Sequence, residues 1–328
     1  MKRIVPLIVL VCCTLVARAH DKQEPATLVE LRKIWDGAPH NAFTDLIRFH
    51  DRWYCTFREA DSHAGGEDGK LRVLTSADGG AWESAALVEE KGVDLRDPKL
   101  SVTPDERLML VAGGSVYEGS TLRSRRPRAI FSNDGRRWGP ITPILSEGDW
   151  LWRVTWHEGR AYGVSYRDSG SRMVLFKSDD GVYYRQVAEW DVPGGNETTL
   201  RFMPDGQMVA LVRREVGSRH GWIGTSKPPY EKWDWHEIDH VLGGPNFIRL
   251  PDGRLWAGSR APRSGGGAAT VIARMTTQSY EPVLTLPSGG DTSYPGLVWH
   301  DGLLWVSYYS SHEGRTSIYL AKVKLPTN

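Results

Sequence analysis

Short runs in which apolar and polar residues alternate occur along the whole chain, and each leads into an acidic turn residue. This unit recurs six times, with turn residues Asp51, Asp105, Glu158, Asp205, Asp252 and Asp301. Successive turn residues lie 47 to 54 positions apart. Such alternation is typical of half-buried β-strands, and a repeat of about 50 residues accommodates four short strands. The pattern therefore predicts an all-β fold, namely a six-bladed β-propeller with four antiparallel strands per blade.

A shorter motif marks a hairpin corner in three consecutive repeats. Residues 76–82, 132–138 and 178–184 each contain a serine, an Asp-Gly pair beginning two residues later, and an aromatic residue at the last position. Glycine adopts the positive φ that such a turn requires, and the serine and aspartate side chains bond nearby backbone N–H groups. We interpret these residues as structural, with the aromatic ring covering the corner.

The first residues are predicted not to belong to this fold. Lys2 and Arg3 precede an apolar run over residues 4–16, and Ala17-Arg18-Ala19 has the pattern of a signal-peptidase site. We therefore predict a signal peptide at residues 1–19 and a single propeller domain at residues 20–328, exported to the periplasm or the extracellular space. No other stretch is apolar enough to span a membrane. Cys55 is the only cysteine after residue 19, so no internal disulfide can stabilise the exported chain.

The charge pattern argues against nucleic acid as a partner. Lys and Arg total 41 against 40 Asp and Glu, spread evenly along the chain, for a formal net charge of +1. The 35 glycines and 14 tryptophans suit many short strands joined by tight turns. His236 and His240 fall on a predicted strand and loop, which argues against a metal pair there. We predict a monomer with neither cofactor nor metal and with a carbohydrate as its partner.

Arginine is frequent where the propeller pattern predicts the rim of the central channel. Inner strands begin at this rim and second strands end there. Arginine stands at the second-strand end in four of six blades, as Arg58, Arg167, Arg213 and Arg260. The predicted inner-strand starts add Arg96, Asp97 and Arg153. Guanidinium groups at equivalent positions favour a basic pocket for a carboxylate or sulfate.

The hairpin corners on a six-fold repeat resemble the Asp boxes of the sialidase superfamily, and the resemblance covers nearly all of residues 20–328. It implies outer-rim positions for Trp82 and Trp138. Glu197 and Arg213 flank one predicted hairpin, which is similar to the hairpin that carries a sialidase's base glutamate and one carboxylate-binding arginine. Tyr294 resembles the nucleophilic tyrosine that opens the last blade.

The resemblance implies a glycoside hydrolase in which Tyr294 is the nucleophile and Glu197 its base. The acid is expected from the loop after the second strand, as Asp61 or Asp68. The expected ligands of an acidic sugar are Arg58, Arg96, Arg153, Arg213, Arg260 and His63, with Asp97 orienting some of the arginines. The first blade lacks a sialidase's first arginine, since residues 41–45 contain none, and Ser310 or Ser311 stands where a sialidase has glutamate. A sialic acid and another acidic sugar, such as a uronic acid, therefore both stay open.

Two other functions fit the same sequence. The chain could be a non-catalytic glycan-binding propeller that keeps part of the basic pocket. It could also be a polysaccharide lyase, in which a tyrosine or histidine abstracts the C5 proton and arginine neutralises the uronate. His63 beside Arg58 is the feature that favours a lyase. The fold does not distinguish among the three.

Overall fold

The computed structural model describes residues 25–167, 170 and 172–327. The predicted signal peptide at residues 1–19 and the predicted new N-terminus at His20 lie outside these ranges and remain predictions. Within them, every regular element is a β-strand. Accordingly, the described part of the chain contains no helix of the length and apolarity needed to cross a membrane.

Twenty-four strands form six four-stranded antiparallel sheets, which confirms the predicted six-bladed propeller. The first strand is β1 (Thr27–Trp35). Blade 1 contains β2 (His40–Phe49), β3 (Arg52–Ala60), β4 (Lys70–Ser76) and β5 (Glu83–Val88). Blade 2 contains β6 (Asp94–Val102), β7 (Leu108–Glu118), β8 (Thr121–Ser132) and β9 (Thr142–Pro143). Blade 3 contains β10 (Trp150–His157), β11 (Arg160–Arg167), β12 (Arg172–Ser178) and β13 (Tyr184–Trp190).

The remaining blades follow in chain order. Blade 4 contains β14 (Gly195–Phe202), β15 (Met208–Arg214), β16 (His220–Ser226) and β17 (Asp234–Val241). Blade 5 contains β18 (Asn246–Arg249), β19 (Leu255–Pro262), β20 (Ala268–Met275) and β21 (Tyr280–Thr285). Blade 6 combines β22 (Thr292–His300), β23 (Leu303–Ser310) and β24 (Ser317–Lys324) with β1 as its fourth strand.

The ring is closed by strands from both ends of the chain. β1 pairs antiparallel with β24, with Leu31 opposite Ala321. The first described strand is therefore the outer strand of the last blade, and backbone hydrogen bonds join it to the last described strand. Closure of this kind is consistent with a ring held by packing and hydrogen bonds, since the one cysteine described, Cys55, is free and buried.

A β-bulge interrupts five of the six inner strands near their starts. The register shifts fall at Ala42/Asp45, Arg96/Lys99, Leu151/Val154, Gly195/Thr198 and Ser293/Gly296. Three bulge residues, Phe43, Asp97 and Tyr294, have positive φ values of 69°, 52° and 48°. A bulge re-aims side chains away from the regular alternation. Glu197, Tyr294 and Asp97 of the candidate site lie within these bulges.

The three repeated corners each connect the third and fourth strands of a blade. In the first, Ser76 Oγ accepts the Gly79 N–H at 2.9 Å, and the same bond recurs at Ser132 and Ser178. Gly79 has a φ of 76°, and a Cβ there would lie 2.3 Å from the Trp305 ring of blade 6. Only glycine meets both requirements, because the turn packs directly on the second strand of the preceding blade.

Candidate functional site

Tyr294, Glu197 and Arg213 form a hydrogen-bonded chain where the inner strands begin. The Tyr294 phenol donates a 2.5 Å hydrogen bond to Glu197 Oε1. A guanidinium nitrogen of Arg213, in β15, lies 2.7 Å from the same oxygen. Glu197 Oε2 accepts a 2.6 Å bond from the backbone N–H of Gly244. The structure thus brings together three residues named from the sequence and fixes the carboxylate from three sides.

The electrostatics of this chain keep the proton on the tyrosine. Burial raises the pKa of Glu197, but the Arg213 charge and the hydrogen bonds from Arg213 and Tyr294 outweigh it and leave that pKa below its usual value. Burial and the Glu197 charge hold the pKa of Tyr294 well above its usual value. A neutral phenol therefore donates to an ionised carboxylate. Such a pair has the geometry in which a carboxylate can accept the proton of an attacking hydroxyl group.

Aromatic rings and one buried lysine surround the Tyr294 ring. Trp152 contacts it edge-on at a centroid distance of 5.1 Å, and the Phe43 ring lies 5.2 Å away. Lys99 Nζ lies 5.3 Å from the centre of the Tyr294 ring. Burial and the Arg153 charge lower the pKa of Lys99 to about 8. A positive charge that titrates near neutral pH therefore lies beside the phenol.

Gly244 sets the position of the tyrosine ring from the opposite side. Its φ is 60°, and a Cβ at this position would lie 1.8 Å from Tyr294 Cδ1. The loop can therefore bring its N–H to Glu197 and its Cα against the ring only because no side chain intervenes.

Asp97 supplies a carboxyl group without an ion-pair partner. It occupies the bulge of β6 and is 9% exposed. No hydrogen bond or ion pair within the described ranges engages its carboxylate. Burial raises its pKa, although the charges of Arg96 and Lys99 oppose that shift. The charge of Asp97 contributes to the raised pKa of Tyr294, so the two groups interact across the same space.

Arg260 is a half-buried cation whose side chain has no hydrogen-bond or ion-pair partner among the described residues. Its backbone N–H bonds the Gly243 carbonyl at 2.8 Å, which fixes the chain at the end of β19. Its guanidinium makes no hydrogen bond or ion pair with another described residue. Its charge helps to lower the pKa of Glu197. Arg260 is therefore positioned to meet an anionic ligand beside Glu197.

Asp94, which sequence analysis did not identify, holds two of the predicted arginines. The Arg58 Nε lies 2.8 Å from Asp94 Oδ1, and its Nη1 donates to the Ser62 carbonyl at 2.7 Å. Arg58 is fully buried, so its guanidinium fastens the loop of residues 61–69 to blade 2. Arg96 bonds the other Asp94 oxygen at 3.1 Å and keeps 13% of its side chain exposed. Asp94, and not Asp97, therefore orients these arginines.

Arg153 is committed to an ion pair inside the channel. Its Nη1 lies 2.8 Å from Asp45 Oδ2, which also accepts the Leu100 N–H at 2.8 Å. Both charged side chains are almost completely buried. This pair joins blades 1, 2 and 3 below the site.

Neither Asp61 nor Asp68, in the loop between β3 and β4, hydrogen-bonds to Tyr294 or Glu197 in the part of the chain that the structure describes. Asp61 is exposed and accepts hydrogen bonds from within its own loop. Asp68 lines a separate cavity of about 390 Å³ between blades 1 and 2. His63 in the same loop contacts Phe43, at a ring distance of 5.1 Å, and its Nδ1 lies 2.7 Å from Asp291 Oδ2.

Sequence analysis missed Lys99, His40 and Asp291, although each had a local signal. Lys99 is a charged residue in the predicted inner strand of blade 2. His40 begins the inner strand β2, and Asp291 immediately precedes the inner strand β22.

Comparison with known proteins identifies solved structures of similar fold. No family model and no curated protein sequence match the chain. A protein of unknown function from Dyadobacter fermentans superimposes with a TM-score of 0.81 and 19% identity, covering 92% of this chain and 99% of that one. A sialidase from Trypanosoma rangeli, solved with sialic acid, gives 0.70 and 12%, and the match covers 90% of this chain but 58% of the sialidase. An α-L-arabinofuranosidase from Fusarium graminearum gives 0.69 and 14%, over 91% and 98% of the two chains. The chain therefore shares the six-bladed propeller fold of sialidases and of an arabinofuranosidase.

Proposed function

We propose that the protein is an exported glycoside hydrolase that removes an acidic sugar from the end of a glycan, with Tyr294 as its nucleophile. The observation that carries this proposal is the 2.5 Å hydrogen bond from the buried Tyr294 phenol to Glu197. A buried tyrosine needs a partner for its hydroxyl, but a neutral acceptor would suffice for stability. An ionised carboxylate held by Arg213 is the partner that a nucleophile requires.

The tyrosine suits a substrate that carries its own negative charge. A carboxylate nucleophile would be repelled by a sugar carboxylate near the anomeric carbon, whereas a neutral phenol is not. In the proposed first step the phenol oxygen bonds to the anomeric carbon, its proton passes to Glu197 Oε1, and the bond to the leaving-group oxygen breaks as an acid protonates that oxygen. Water then bonds to the anomeric carbon and gives a proton to the conjugate base of that acid. The bond to the phenol oxygen breaks, and the phenolate takes its proton back from Glu197. The positive charge of Lys99 beside the ring stabilises the phenolate character that develops during attack.

We propose Asp97 as the acid that protonates the leaving group. A general acid must hold its proton near the working pH, and burial shifts the pKa of Asp97 in that direction. The alternatives named from sequence, Asp61 and Asp68, are exposed carboxyl groups in the loop between β3 and β4.

Arg213 and Arg260 are the proposed ligands of the sugar carboxylate. They belong to the adjacent blades 4 and 5 and flank Glu197, and both remain partly accessible. Two guanidinium groups on one side of the nucleophile would orient an acidic sugar with its anomeric carbon toward the phenol. Arg96, which keeps some exposure beside Asp94, is the third cation within reach of such a substrate.

The test is a turnover screen of the purified protein on aryl glycosides of sialic and uronic acids and on their natural oligosaccharides. Hydrolysis of an acidic glycoside that falls by orders of magnitude in Tyr294→Phe would support the proposal. Tyr183→Phe is the matched control, because Tyr183 is 80% exposed. Saturable binding without turnover, dependent on Arg260, would instead identify a glycan-binding propeller. Products that absorb ultraviolet light through a C4–C5 double bond would identify a lyase.

A further inference from the structure

Three potential metal ligands converge beside the candidate site. His40 Nε2 lies 2.9 Å and His63 Nδ1 lies 2.7 Å from the same oxygen, Asp291 Oδ2. The three ligand atoms all lie within 4.8 Å of one another, and no other group of this kind occurs in the described ranges. His40 begins β2, His63 lies in the loop after β3, and Asp291 immediately precedes β22.

The arrangement is more specific than a surface ion pair. His40 is almost fully buried, and among the described residues its Nδ1 has no hydrogen-bond partner, so its ring contacts Asp291 through Nε2 alone in this part of the chain. The second oxygen of Asp291 accepts a 3.1 Å hydrogen bond from the Tyr309 phenol. Hydrogen bonds of this kind to the remaining atom of a ligating carboxylate are typical of the residues around metal ligands.

We propose that His40, His63 and Asp291 bind a divalent transition-metal ion, with zinc as the best match. Two imidazoles and one carboxylate favour zinc over magnesium or calcium, which prefer oxygen ligands. Zinc bonds of about 2.0–2.2 Å would separate tetrahedral ligand atoms by about 3.3 Å. The observed separations of 2.7 and 2.9 Å therefore need only a small outward movement.

The ion would keep an open coordination position toward solvent. The side chain of His63 is 51% exposed and that of Asp291 27% exposed, whereas that of His40 is 9% exposed. Three protein ligands with a free fourth position are typical of zinc sites that accept water or another oxygen ligand.

A metal ion at this position would also affect the stability of the closed ring. His40 belongs to blade 1 and Asp291 to blade 6, so the ion would join the two blades where the ring closes. The Asn41 N–H bonds the Thr316 carbonyl at 3.1 Å at the same seam. Because metal binding requires these segments to be together, it should stabilise the closed ring.

The experiment measures zinc binding and thermal unfolding of the full exported chain after removal of metals with a chelator. We expect one zinc ion per chain by calorimetry and elemental analysis, and a higher Tm in zinc. His63→Ala and Asp291→Asn should weaken binding by about a hundredfold or more and remove the Tm increase. His63→Ala is expected to fold, because the residue lies in an exposed loop.

His236→Ala is the matched control, since His236 is an exposed histidine on β17 in blade 4. It should leave both zinc stoichiometry and Tm unchanged. Zinc binding that is absent, or equally strong in His63→Ala and Asp291→Asn, would overturn the proposal and leave a hydrogen-bonded His-Asp-His group. Neither readout depends on turnover, so the result is independent of the proposed hydrolase activity.

Discussion

Replacement of Arg213 by methionine tests whether this guanidinium keeps Glu197 ionised inside the protein. Glu197 is 4% exposed, and its Oε1 lies 2.7 Å from Arg213. Methionine retains much of the arginine stem but removes the charge. The carboxylate would then keep only the Tyr294 phenol and the Gly244 N–H as donors.

Removing one partner of a buried ion pair costs about 3–5 kcal/mol. The two hydrogen bonds that remain on Glu197 place our expectation at the lower end, about 3 kcal/mol at neutral pH. In the wild type the pKa of Glu197 is lowered in the folded state. Glu197 therefore stabilises the folded protein at pH values above its pKa in the unfolded chain, and this stabilisation is lost as pH falls. In Arg213→Met, burial acts without the opposing charge and raises that folded pKa. The loss of stability should therefore be small below the ordinary pKa of 4.5 and grow as pH rises.

The assay is urea denaturation of wild type and Arg213→Met at about pH 4 and about pH 7. Glu197→Gln provides the control, because the double variant should recover most of the stability that Arg213→Met loses. A loss of equal size at both pH values, with no recovery in the double variant, would refute this account of the pair.

Three further substitutions probe the surroundings of Tyr294. Asp97→Asn should lower turnover of glycosides with poor leaving groups far more than that of aryl glycosides with good ones, and equal losses on both would contradict its role as the acid. Gly244→Ala should displace the Tyr294 ring and abolish activity. Gly206→Ala is the control, because Gly206 has a φ of 79° and open space around it, so this change should lower stability only. An active Gly244→Ala variant would contradict the close approach of Gly244 to the Tyr294 ring. Lys99→Met should be more stable than wild type at neutral pH, because burial makes the charged form of Lys99 unfavourable in the folded protein. This gain in the free energy of unfolding should shrink between about pH 8 and the ordinary pKa of 10.5. A gain that stays constant over this pH range in urea denaturation would contradict the prediction.

The strands and blades of the fold could be predicted from local sequence pattern, but the pairing that closes the ring could not. Alternating runs and Asp-Gly turns report strands and hairpins directly, because both depend on neighbouring residues. The pairing of β1 with β24 joins Leu31 to Ala321, far apart in sequence, so no local signal assigns β1 to the last blade.

The site was predictable where it follows the blade repeat. Glu197, Arg213 and Tyr294 occupy repeated positions that also match a known pattern, and they lie together. Arg58 and Arg260 occupy equivalent positions as well, yet Arg58 is buried against Asp94, whereas the Arg260 side chain has no ion-pair partner among the described residues. That difference depends on side chains from neighbouring blades. The position of an arginine within its own strand does not predict these partners.

The convergence of His40, His63 and Asp291 illustrates the same limit. Each histidine lies more than 200 residues from the aspartate in the sequence, so spacing rules for metal sites do not apply. Only the circular arrangement of the blades brings the start of the first inner strand beside the start of the last.

The central claim is that Tyr294 attacks the anomeric carbon of an acidic sugar. The most direct measurement is mass spectrometry of the protein after incubation with fluorinated sialic and uronic acid derivatives that carry a good leaving group, since the fluorine slows release of a glycosyl-enzyme intermediate. The account predicts one sugar adduct per chain, mapped to the peptide that contains Tyr294 and missing in Tyr294→Phe. An adduct on another residue, or an equal adduct in Tyr294→Phe, would contradict it.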